Sequence, residues 1–76
     1  MTLDQVPRGT RVIVDDIADV KRKLEAARLG LGPGAWIVVI RIVPRGPIIV
    51  RGEGGQIALG RQLAQEITVS VVSEGK

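Results

Sequence analysis

Three carboxylates close together in the chain, Asp15, Asp16 and Asp19, are the first place to look for chemistry. Carboxylate oxygens are hard donors that suit divalent cations. As a metal site they are weak candidates, because transition metals bind more firmly where imidazole or thiolate joins the donor set, and the 76 residues include no His and no Cys. Asp15 and Asp16 end a strand-like stretch and Asp19 precedes a helical one, where capping alone accounts for an aspartate. The missing His removes any Ser-His pair, imidazole base or zinc site of the usual kinds. The missing Cys removes thiol nucleophiles and a disulfide framework. The inventory therefore predicts no catalytic residue, no bound cofactor and no enzyme.

Two further patterns could bind anions. Gly30-Leu31-Gly32-Pro33-Gly34 has the composition of a phosphate-cradling loop. It follows a helical segment, however, whereas such loops precede one, so it reads as a helix cap and tight turn. The balance of 11 basic against 8 acidic residues gives a net charge of +3, which raises the question of an anionic partner. The arginines are dispersed along the chain, and only Lys21-Arg22-Lys23 forms a run. Surfaces that bind single-stranded nucleic acid stack bases on aromatic rings, and Trp36 is the only aromatic residue present. Nucleic acid is thus the rival partner and not the expected one.

These residues must be carried by an aliphatic fold. There are 11 Val, 9 Ile, 6 Leu and 6 Ala, and so many β-branched side chains favour strands. Glycine and proline divide the chain into short pieces. After the turn Pro7-Arg8-Gly9, residues 10–17 alternate as a strand in which Val12 and Val14 share a face. Val20, Leu24, Ala27 and Leu31 then recur at helical spacing, which predicts a helix of about three turns with these four residues inward. Asp19 is placed to cap its start and Gly30 to end it. Residues 35–43 and 48–51 flank Pro44-Arg45-Gly46-Pro47 and predict a hairpin. A fourth short strand is expected at 56–59, a helical turn at 61–66 anchored by Leu63, and a closing strand at 67–72. The fold class is mainly β: a small barrel of about five antiparallel strands crossed by one helix. The whole chain, 1–76, reads as a single domain. Its longest apolar run is too short to span a bilayer, and its start lacks a basic and apolar leader, so a soluble cytoplasmic protein is expected.

The order of these elements resembles the FeoA family, small cytosolic proteins of bacterial ferrous-iron uptake. The resemblance runs from Leu3 to Val72 and is carried most specifically by Leu29-Gly30-Leu31-x-Pro33-Gly34 and by Ala58-Leu59-Gly60-Arg61. The same domain ends some diphtheria-toxin-repressor-type metalloregulators. The resemblance implies an SH3-like barrel that does no chemistry and acts by contact with a FeoB-type membrane permease bearing a cytoplasmic GTPase domain. Iron association and transition-metal binding are implied at family level only. A homo-oligomer is compatible with it, and direct membrane insertion is not expected. The runner-up reading is a nucleic-acid-binding module or a stand-alone regulatory domain of a metalloregulator. Ala26-Ala27, the short turn Pro44-Arg45-Gly46-Pro47 and the long turn Gly52-Glu53-Gly54-Gly55 depart from the family pattern.

The family register puts Ile37 and Val39 in the core and turns Trp36 and Val38 outward, as a partner surface. The opposite register would make Trp36 the main core aromatic.

Overall fold

The computed structural model describes residues 1–72. The chain forms strand β1 (Arg11–Ile17), helix α1 (Val20–Arg28), strands β2 (Trp36–Ile42), β3 (Ile48–Gly52) and β4 (Gly55–Leu59), helix α2 (Arg61–Ala64) and strand β5 (Ile67–Val71). The strands build one antiparallel sheet in the order β4-β3-β2-β1-β5. This is the mainly β architecture that the sequence predicts, with strand limits within a residue or two of those expected. A short 3-10 turn, Leu3–Gln5, precedes β1 and has no counterpart in the sequence reading.

Alternation puts one face of the sheet in the core. Val12, Val14 and Ile17 of β1, Ile37 and Val39 of β2, Ile48 and Val50 of β3, and Ile67 and Val69 of β5 are all buried. Leu3 and Val6 from the N-terminal segment, Leu31 from the loop after α1, and Leu63 and Ala64 of α2 close over this face. No polar or charged residue is buried among the described residues, so the core is held by aliphatic packing alone. Register shifts between Val14 and Asp16 and between Val39 and Arg41 mark bulges in β1 and β2. Each adds a residue to one strand and bends it, which wraps a small sheet round its core.

The direction in which α1 faces overturns the sequence reading. Its ends are as expected: the Asp19 carboxylate accepts a hydrogen bond from the Arg22 amide at 3.2 Å, and Gly30 follows with φ +78°. Its inward residue, however, is Ala26, while Val20, Leu24 and Ala27 are exposed. Only Leu31, of the four predicted inward residues, is buried.

The cause is the helix C-terminus. The Leu31 amide donates to the Ala26 carbonyl at 2.8 Å and the Gly30 amide to the Ala27 carbonyl at 3.0 Å, the two bonds of a Schellman motif. That motif brings the apolar residue two past the cap against the residue five before it in sequence, here Leu31 against Ala26. Leu31 therefore enters the core through a left-handed turn and not along the helical repeat. Residues 20, 24 and 27, on the opposite side of the helix from Ala26, are left outside.

Candidate functional site

The three carboxylates do not converge. The Asp15 carboxylate accepts a hydrogen bond from the Ser70 hydroxyl across the β1–β5 pair. Asp16 pairs with Lys23 at 3.6 Å, and Asp19 is occupied at the start of α1. Among the described residues no three metal-ligating side chains gather at one point, and no pocket opens. Capping and surface pairing account for all three aspartates.

Trp36 and Val38 lie on the outer face of the sheet, with Ile37 and Val39 in the core between them. The strand register shows what surrounds them. Ser70, Ile13 and Trp36 form one cross-strand row on β5, β1 and β2. Arg11, Val38, Arg51 and Gln56 form the next, on β1, β2, β3 and β4. Beyond the bulge in β2, Arg41, Ile49 and Ala58 form a third. Directly opposed residues share a face, so the outer surface has an apolar centre of Ile13, Trp36, Val38 and Ile49 among Arg11, Arg41 and Arg51.

Arg11 lies over the Trp36 ring, 5.1 Å from its centroid, within the range of a cation–π contact. This explains why Trp36 is half-buried although it faces away from the core. Among the described residues no carboxylate lies within ion-pairing distance of Arg11, Arg41 or Arg51; the ion pairs there join Arg22 to Glu25 and Glu66, and Lys23 to Asp16. Arg22 is held further above its ordinary value mainly by the hydrogen bond to Glu25. The outer face can therefore offer a wide ring, aliphatic surface and cations unpaired among the described residues to a partner with acidic and apolar groups. Sequence reading found Trp36 and Val38 there but missed the arginines. Their signal is the alternation of Arg11 with Val12 and of Arg51 with Val50, which fixes their face once the inward positions are known.

Arg61 has a different task. Its Nε donates to the Gly46 carbonyl and its guanidinium NH2 to the Val43 carbonyl, both at 2.9 Å. It thereby braces the β2–β3 turn at 43–46, whose Arg45 adopts φ +59°.

A sequence profile of the FeoA domain matches residues 1–71. A search of the curated proteins finds no match. Among solved structures, the crystal structure of an iron uptake regulatory protein, FeoA, is similar with a TM-score of 0.87 and 32% identity, over 95% of this chain and 97% of that one. FeoA from Stenotrophomonas maltophilia, solved with zinc and described as a procaryotic SH3 domain protein and candidate ferrous-iron transport activating factor, gives a TM-score of 0.78 at 22% identity, covering 92% and 89%. A manganese-dependent transcriptional repressor gives 0.84 at 24% identity, covering 95% of this chain and 41% of the repressor. The likeness to the last two is one of fold.

Proposed function

The chain belongs to the FeoA family, which is linked to ferrous-iron transport, and on that footing we propose that it is a non-enzymatic accessory protein of ferrous-iron uptake. It acts on the cytoplasmic side by docking its outer sheet face on the cytoplasmic part of a FeoB-type permease. Such an accessory needs no chemistry of its own. It biases the permease by binding one of its conformations more tightly than another, and the shift cannot exceed that difference in affinity. Ferrous iron is the cargo of the transporter in this reading and not a ligand of the chain.

The observation that carries the reading is the juxtaposition of Trp36 and Val38 with Arg11 and Arg51 on a face the core does not use. Large aromatic and arginine side chains carry most of the binding free energy in protein interfaces. Isothermal titration against the purified cytoplasmic part of a FeoB-type permease from the same organism tests it. Association is expected, and Trp36→Ser should weaken it at least roughly tenfold while the domain stays folded. Absence of association, with tight and sequence-dependent retention on nucleic acid instead, would favour the runner-up. The other alternative, a stand-alone regulatory domain of a metalloregulator, has the same fold as part of the repressor.

A further inference from the structure

Helix α1 is amphipathic inside out. An apolar stripe on a helix ordinarily covers the core, yet here Val20 is 69% and Leu24 57% exposed while the inward position is Ala26. Successive residues turn by about 100° on a helix of 3.6 residues per turn, and this places every side chain of α1 relative to Ala26. Ala27, Val20 and Leu24 form a stripe on the far side. Lys23 lies along one flank of it, and Arg28 and Lys21 along the other. The one carboxylate within the helix is Glu25, about 100° round from Ala26 and next to Lys21 on that flank. Glu25 sits on the shoulder and is engaged by Arg22 at 3.1 Å, and Asp19 is held at the helix start.

The packing does not require this arrangement, since the Schellman turn that fixes the facing of α1 needs only Ala26 and Leu31. A second copy of the chain is a poor occupant, because an antiparallel pair of these stripes would bring Lys21, Lys23 and Arg28 against their own images. A flat, negatively charged surface with an apolar layer beneath it meets the stripe and the flank of Arg28 and Lys21 at once, and asks for no groove; Lys23, on the other flank, is paired with Asp16. From this we infer that α1 is an interfacial helix that rests on an anionic lipid bilayer, with Val20 and Leu24 at the boundary of headgroups and acyl chains and Lys21 and Arg28 among the headgroups. This is attachment along the surface. No helix among the described residues is long and apolar enough to cross a membrane.

The stripe points away from the core on the inner side of the sheet, and Trp36 faces outward on the other side. The two surfaces share no residue, and the lipid contact leaves Trp36 and its neighbours on the outer face unused. The inference does not rest on the proposed permease contact, and each can fail without the other.

The test uses the whole chain with vesicles of phosphatidylcholine alone and of equimolar phosphatidylcholine and phosphatidylglycerol. Co-sedimentation is expected with the anionic vesicles only, weakening as salt is raised. Leu24→Ser should lower the partition roughly tenfold, the weight of one leucine side chain, with an unchanged thermal midpoint because the residue is exposed. Trp36→Ser should leave the partition as it is. In a Trp36→Phe background, Leu24→Trp should shift its emission to the blue on anionic vesicles only. Equal binding to both vesicle types, no binding to either, or a Leu24→Ser variant that partitions like the parent would overturn the inference. So would loss of permease binding on Leu24→Ser without any vesicle binding, which would assign the stripe to an acidic protein groove.

Discussion

The facing of α1 can be tested by stability alone, through a pair of substitutions for which the helical period and the structure give opposite answers. If the period governed, Leu24 would be a core residue, and Leu24→Ala would cost about 2–5 kcal/mol. In the structure Leu24 is 57% exposed, so its truncation should fall within about 0.5 kcal/mol of the parent, as surface changes do, with alanine's helix propensity as a small gain. Ala26 is the converse. It is fully buried against a close-packed aliphatic core, so Ala26→Leu must force three extra carbons into filled space and should cost about 1–3 kcal/mol. A chain of 76 residues has roughly 4–11 kcal/mol of total stability at about 0.05–0.15 kcal/mol per residue, so the second change is a large fraction of the whole. In a domain of this size each kcal/mol moves the thermal midpoint by about 4–8 °C. Urea and thermal unfolding of both variants would separate the alternatives. A loss above about 2 kcal/mol for Leu24→Ala, or a neutral Ala26→Leu, would refute the assignment of the inward face.

Other residues give predictions of the same kind. Arg61→Ala removes two charge-assisted hydrogen bonds to the 43–46 turn and should cost about 2 kcal/mol in urea unfolding; Arg61→Lys should recover only part of it, because a lysine lacks the fork that meets both carbonyls. Arg45 holds φ +59° as the third residue of that turn, so Arg45→Gly should relieve about 1 kcal/mol of left-handed strain net of glycine's greater freedom when unfolded, raising the thermal midpoint by a few degrees. Asp19→Ala should cost about 1 kcal/mol through loss of the helix cap, and Asp19→Ser should restore most of it. Trp36→Ser should cost clearly less than the 3–5 kcal/mol typical of a buried tryptophan truncation, since the ring rests on the outer face against Arg11.

The parts of the fold that sequence exposes are those written in local chemistry. Alternation of Val12 and Val14 with polar neighbours, the aspartate at 19 and the glycine at 30 mark elements whose causes lie within a few residues. The inward face of α1 is not legible from the period, because Val20, Leu24 and Ala27 form a regular apolar stripe that lies outside, while the contact that sets the facing, Leu31 on Ala26, is made past the point at which Gly30 reverses the backbone. The 3-10 turn at Leu3–Gln5 leaves no signal in the sequence because three residues are too few to show a period, although Leu3 and Val6 are among the most buried side chains. The candidate surface was half legible. Trp36 and Val38 follow from alternation in one strand, but Arg11 and Arg51 join them only through pairing across β1, β2 and β3, and pairing between distant strands leaves no mark on either strand alone.

The position of β1 between β2 and β5 has a consequence for how the chain acquires its shape. β2, β3 and β4 are consecutive antiparallel strands joined by short turns, so they can pair as soon as they exist. β1 gains its second neighbour only from β5, where Ile17 meets Ile67 and Val12 meets Val71, across nearly the whole described chain. Closing a loop of that length comes before any reward from the contacts it makes, which slows folding. During synthesis the first strand leaves the ribosome long before its last partner is made, with Val14 and Ile17 uncovered until β5 arrives. The aspartates at 15 and 16 stand beside those two residues on the waiting strand, where charge discourages it from pairing with a strand of another chain.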